Sequence, residues 1–320
     1  MIGIGKMGLL HGSILSFLPD AELVALCDKS AVILRFSRKI FASTGVKVVD
    51  SVEKLSSLDL DVAYVTTPIS SHSAITKELY TSGIAHHVFV EKTLASNYEE
   101  AKALCELAQH YEGVNMVGYM KRFAVTFGKA KDLLGKEALG EIYSFNAYAY
   151  SSDFLGVDEE SKASAPRGGA LRDLGCHVID LALWLFGDFQ VESVNSQPLS
   201  SKGSEDRVCF AVSSSGGLKG QFDVSRSMEG YRMPEVGLSV IGSKGTLKVN
   251  DDKLEFKLND GESFTWYRHD LGDNVDFWLG ESEYFREDQH FIRSILEGRS
   301  AEPDFHTASK IDRIIDRVRA

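Results

Sequence analysis

Residues 1–8 read MIGIGKMG, and Gly3, Gly5 and Gly8 form the spacing G-x-G-x-x-G. Alone that spacing is weak; its surroundings strengthen it. An apolar amphipathic run over 9–18 follows, Pro19-Asp20 interrupts it, and 22–28 reads as a strand ending at Asp28, about 20 residues past Gly8. In this arrangement small residues let the backbone approach a pyrophosphate. The helix N-terminus receives its charge, and the acidic group meets the ribose hydroxyls. Gly3, Gly5, Lys6, Met7, Gly8 and Asp28 are therefore candidate dinucleotide contacts. The alternative is a glycine turn with no ligand. Asp28 favours NAD, because its charge repels a 2′-phosphate; Lys29 and Ser30 beside it leave NADP open. A strand of about five residues should precede Gly3, yet only Met1 and Ile2 do. We expect the strand to begin upstream of Met1, since a clipped central strand leaves its neighbours unpaired.

Beyond Asp28, strand and helix signals alternate, as a doubly wound parallel sheet requires. Strands are expected at 47–49, 62–66, 87–90 and 115–118, with a helical turn at 51–58 and helices at 71–82 and 98–111. Ligands in such sheets sit beyond the carboxyl ends of the strands. Thr66, Thr67, Pro68, Glu91, Lys92, Tyr119 and Lys121 all lie at or just past such ends.

A second stretch, 173–186, reads DLGCHVIDLALWLF. Its apolar content is that of a mostly buried helix. Asp173, His177 and Asp180 fall on one stripe of it, at i, i+4 and i+7. Ionisable groups on an apolar helix are costly unless they meet partners, water or a ligand. The stripe is thus either a satisfied structural histidine, a catalytic group, or, less readily, part of a metal site; no second His or Cys cluster has ligand spacing. Gly168-Gly169 lets the chain turn tightly before the helix.

Net charge is −11 over 320 residues, which argues against a nucleic-acid or anionic-membrane partner. No run of 18 apolar residues offers a membrane span. No signal-peptide pattern is visible at the N-terminus. Cys27, Cys105, Cys176 and Cys209 are scattered without a C-x-x-C pair, which fits reduced thiols in a cytoplasm.

Several short motifs now align in order: residues 3–8 and Asp28; Thr67-Pro68 with His72; Gly83 leading into 88–92; GYMKRF at 118–123; LGEI at 139–142; Asp173-x-Gly175-x-His177-x-x-Asp180; and Gly242-x-x-Gly245-x-Leu247. In this order the chain resembles the Gfo/Idh/MocA family of oxidoreductases, which includes glucose–fructose oxidoreductase and myo-inositol 2-dehydrogenase. The resemblance implies an α/β chain: an N-terminal Rossmann dinucleotide-binding domain over 1–118, then a C-terminal α+β domain over 119–320 with a large, mostly antiparallel open sheet. It implies that the helices within 281–320 return to the first domain, and that the open sheet face packs against a second copy in a homodimer or homotetramer. It implies cofactor contacts from Thr66, Thr67, Pro68, His72, Glu91 and Lys92, and substrate contacts from Lys92, Tyr119, Arg122, Asp173 and His177. In that family the histidine is taken as general base, the lysine as hydrogen-bond donor and the aspartate as orienter. No metal is implied. Two positions depart from the family pattern. Thr93 replaces the proline after Lys92, whose preceding bond is often cis, and Ile69 replaces the asparagine after Thr-Pro. A cis bond before a non-proline residue costs about 2.5–4 kcal/mol, so the bond is either trans with Lys92 aimed differently, or held cis.

In 119–320 a helix is expected at 124–134 and strands at 142–152, 189–196, 206–213, 218–227, 235–242, 245–250, 253–258 and 263–269, with helices at 281–297 and 307–318. Oxidising a secondary alcohol leaves a proton to be taken up. A histidine, ordinarily near pKa 6.5, suits that task. The expected function is NAD(P)-dependent hydride transfer to or from a sugar, inositol or related polyol. The alternatives are a non-catalytic dinucleotide- or sugar-binding regulator of the same fold, and a reductase acting on a non-sugar substrate. Specificity is expected in the segment 153–172.

Overall fold

The computed structural model describes residues 1–157, 169–198, 205–275, 277 and 279–320. Arg167, Gly168 and the rest of 158–168, in the segment expected to carry specificity, lie outside the described residues. The chain divides into two compact units, 1–119 with 275–313, and 120–274 with 314–320.

In the first unit a parallel sheet runs β2 (Lys47–Val49), β1 (Ala25–Cys27), Ile2, β3 (Val62–Val65), β4 (His87–Glu91), β5 (Asn115–Gly118). β3, β4 and β5 are nearly continuous apolar runs because helices cover both faces. Ile2 bridges both Cys27 and Val65, so two residues stand in for the central strand. Below them a cavity of about 360 Å³ opens between the start of β1 and the start of β3, lined by Leu15, Leu23, Leu55 and Leu60 among others. The helices are α1 (Lys6–Phe17), α2 (Ala31–Ile40), α3 (His72–Thr81) and α4 (Tyr98–Ala108). α2 was not expected. Its N-cap is Ser30, which accepts from Ile33 N. Val32, Phe36 and Ile40 on it are more than 60% exposed while Leu34 and Ser37 are buried, so most of its large apolar residues lie off the buried face and the sequence pattern misleads. Near the C-terminus come α7 (Ser282–Leu296) and α8 (Phe305–Arg319). Asn115 Oδ1 accepts from Phe305 N at 2.8 Å, and Pro303 O accepts from Val117 N at 2.9 Å, which tie this segment to β5. The Lys92–Thr93 peptide bond is cis.

The second unit begins with α5 (Val125–Gly135) and β6 (Ile142–Tyr150). A π-helical turn, Leu171–Gly175, runs directly into α6 (Cys176–Phe186). Then follow β7 (Gln190–Pro198), β8 (Glu205–Ser213), β9 (Lys219–Ser225), β10 (Glu235–Gly242), β11 (Gly245–Asn250), β12 (Lys253–Leu258) and β13 (Ser263–Tyr267). Among the described residues these form one eight-stranded sheet in the order β13-β12-β11-β10-β6-β9-β8-β7. All pairs are antiparallel except β6 with β9. One face carries Phe145, Phe210, Phe222, Val240, Leu247 and Phe256, all buried. The opposite face, the one expected to pack against a second copy, is not an apolar surface. It is instead polar and aromatic: Tyr148 Oη donates to Glu235 at 2.5 Å, and Asp223 joins Tyr150 to Arg207.

α6 is anchored by charge as well as by apolar packing. Asp180 is fully buried, and Arg122 grips it through Nε (3.0 and 2.9 Å) and Nη2 (2.6 Å). Removing one partner of such a pair leaves a buried charge, at a cost of about 3–5 kcal/mol. Arg122→Met is therefore expected to lower unfolding stability by about that amount in denaturant titration. Arg122→Met combined with Asp180→Leu is expected to recover most of it, which additive losses in the double variant would contradict.

Candidate active site

The first unit carries the loop between Ile2 and α1. Gly3 has φ +91°, and a Cβ there would stand 2.7 Å from Thr67 Cγ2. A Cβ on Gly8 would stand 2.0 Å from Gly3 O, so only glycine lets the helix start so close to the loop. At Gly5 nothing lies within 4 Å of where a Cβ would be. α1 begins at the next residue with no side-chain cap. A close turn, open space at Gly5 and an uncapped helix start are what a pyrophosphate needs. Lys6 is exposed and Met7 half-buried at that helix start.

Asp28 sits just past β1. Its Oδ2 accepts from Ile4 N and its Oδ1 from Ser30 N, both at 2.7 Å. The carboxylate is thereby fixed against the glycine loop, and each oxygen keeps a further lone pair for a ribose hydroxyl. Thr66 Oγ1 donates to Gly3 O at 2.7 Å and holds the loop from below. Thr67 Oγ1 accepts from Ser71 Oγ, and Pro68 O accepts from Ser71 N, so the Thr67-Pro68 corner is braced by the turn that follows.

His72 and Glu91, expected at the cofactor, are placed differently. The His72 ring is fully buried, 2.8 Å from Thr67 O on one side and 2.8 Å from Thr93 O on the other. Burial holds its pKa below the usual histidine value. It braces the loops after β3 and β4 from behind. Both Glu91 oxygens are engaged within the protein, Oε1 by His11 and Oε2 by the Lys92 N–H. Lys92 itself is half-buried at the end of β4, and Tyr119 is fully buried just past β5.

The second unit carries the Asp173–His177 stripe. Asp173 lies on the π-turn and pairs with Arg226 Nη1 at 3.2 Å. Arg226 stands at the end of β9, with its guanidinium 3.7 Å above the Phe154 ring. His177 is buried, one turn on from Asp173 in α6. Asp180 is taken by Arg122, so Arg122 reaches α6 with the charge that was expected to meet substrate. Each carboxylate of the stripe thus has an arginine. Gly169 serves the same segment by its size: a Cβ there would stand 2.3 Å from the Glu205 carboxylate, which accepts from Leu171 N at 2.9 Å. Arg226 was not anticipated. The one signal for it is its place at a strand end, beside a carboxylate that the sequence pattern leaves unpaired.

A profile of an oxidoreductase family with an NAD-binding Rossmann fold matches residues 1–119, and a profile of the GFO/IDH/MocA C-terminal domain matches residues 127–248. Inositol 2-dehydrogenase of Rhizobium meliloti (strain 1021) is 23% identical over 311 residues, covering 95% of this chain and 90% of that protein. Myo-inositol 2-dehydrogenase of Thermotoga maritima is 25% identical over 317 residues, covering 93% and 88%. A solved structure of levoglucosan dehydrogenase in complex with NADH and levoglucosan superposes with a TM-score of 0.84 at 22% identity, covering 99% of this chain and 94% of that one. The chain belongs to the GFO/IDH/MocA oxidoreductase family, and its residues 1–119 are that family's NAD-binding Rossmann fold.

Proposed function

We propose that this protein transfers hydride between NAD and one secondary carbon of a sugar, an inositol or a related polyol. The observation that carries this reading is an imidazole, His177, one turn past a carboxylate, Asp173, on a mostly apolar helix whose other carboxylate, Asp180, is held by Arg122. Support comes from relatives of nearly full length whose names refer to inositol. Bound NAD supplies the hydride acceptor or donor. In the oxidising direction His177 takes the hydroxyl proton on its imidazole, and the carbon–oxygen single bond becomes a carbonyl. Asp173, itself held by Arg226, orients the ring. Lys92 donates a hydrogen bond to the reacting oxygen as charge develops there. Arg122 holds Asp180 on the helix that carries His177.

We also place the protein in the cytoplasm, a reading supported by four free cysteines. Among the described residues no helix is long and apolar enough to cross a membrane. We assign the open sheet face, with Tyr148 stacked on Tyr150, to contact between copies.

Three outcomes are expected. NADH binds more tightly than NADPH by fluorescence titration, and Asp28→Ala weakens NADH about 10- to 100-fold, the value of hydrogen bonds to a charged group; equal affinities in both proteins would remove Asp28 from the ribose. With inositols and aldoses as substrates, His177→Ala lowers kcat about 10²- to 10⁴-fold while NADH affinity stays. A variant with full turnover sinks the general-base assignment. Sedimentation velocity gives a dimer or tetramer that Tyr148→Glu dissociates; a monomeric starting protein refutes the assignment of the sheet face.

A further inference from the structure

His11 has no part in the chemistry above, yet it stands at the centre of a buried charge cluster. It lies on α1, three residues past Gly8, and is fully enclosed. Tyr64, Phe89 and Tyr284 pack around the ring with centroids 5.8, 5.1 and 6.1 Å away. Nδ1 is 2.9 Å from both carboxylate oxygens of Asp288 on α7. Nε2 is 2.9 Å from Glu91 Oε1 at the end of β4. A ring set between two carboxylates can donate from both nitrogens, as an imidazolium does. Burial works against that charge, but Asp288 and Glu91 outweigh it and hold the pKa well above the usual histidine value. Burial likewise raises the Asp288 carboxyl. Glu287, also fully buried, adds a second acidic side chain from α7.

The cluster continues toward Lys92. Glu91 Oε2, the oxygen turned away from His11, accepts from the Lys92 N–H at 3.0 Å. Gly118 on β5 leaves room for this: a Cβ there would stand 3.3 Å from Glu91 Oε1 and 3.0 Å from Phe89 Cζ. One carboxylate therefore joins a fixed cation inside the unit to the backbone of the lysine at the strand end.

We propose that His11 is a positioning residue. It clamps Glu91 from behind β4, and Glu91 in turn sets the Lys92 backbone and the direction its side chain leaves the strand. The proposal rests on the reading of Lys92 as donor to the reacting oxygen. Without the ring, Glu91 Oε1 loses the partner that holds it at 2.9 Å and the carboxylate can turn, taking the Lys92 N–H with it. The folded pKa of His11 is raised, so its stabilisation is complete below about pH 6.5, the unfolded value, and is lost as pH rises through the folded one.

The test reads Lys92 directly. Lysines are reductively methylated with ¹³C, NADH is bound, and the Lys92 resonance is identified by its loss in Lys92→Met. In His11→Gln that resonance is expected to shift while the one from exposed Lys54 stays. NADH affinity is expected to change less than about twofold and kcat to fall about 10- to 100-fold, as for a group displaced by an ångström or less. Glu91→Gln, which cuts the same link and leaves His11 facing Asp288, is expected to move the same resonance and serves if His11→Gln does not fold. An unmoved Lys92 resonance overturns the clamp, whatever happens to turnover. A moved resonance with unchanged kcat keeps the clamp and removes Lys92 from the proposed chemistry.

Discussion

The carbonyl oxygen of Gly3 occupies the space that a Cβ of Gly8 would need. That contact sets how near α1 starts to the end of the central strand. From it follow the open space at Gly5 and the uncapped helix start beside it. It also places the Gly3 carbonyl where Thr66 Oγ1 can donate to it, so the next strand's end is joined to the same loop. Asp28 closes the arrangement from the other side by accepting the Ile4 N–H. Three strand ends thus meet at one loop, and the backbone groups between them are satisfied by threonine and aspartate side chains.

Buried charge is handled the same way in both units. In the first, His11 stands between Asp288 and Glu91. In the second, Asp180 meets Arg122 and Asp173 meets Arg226. A single unmatched charge in any of these places carries a penalty of several kcal/mol. The pairs therefore act less as sources of stability than as constraints on which arrangement of elements is tolerable. Asp173 is the informative member. Its arginine holds it in a nearly enclosed position, one turn before His177.

Much of the fold was legible because it depends on neighbours in sequence. β2, β5, β10, β11 and β12 begin and end where turn residues and alternation put them. α2 was not legible, because Val32, Phe36 and Ile40 face outward and Ser37 inward. The sequence pattern starts an α-helix at Asp173, inside what is a π-turn over Leu171–Gly175, since a widened turn leaves no trace in apolar spacing. The parallel pairing of β6 with β9 was equally hidden, because strand direction depends on the path of the chain between strands.

The sequence by itself determined the glycine loop, the acidic residue that follows it, and the imidazole–carboxylate stripe, because each is a matter of residue type at short spacing. Tertiary structure decided what those charges do. Arg122 was expected at substrate and is spent on Asp180, 58 residues away. Glu91 was expected at the cofactor and is held by His11, 80 residues away, whose other partner lies 277 residues on. A buried charge must be matched wherever the fold places its counter-charge, and no local pattern records that distance.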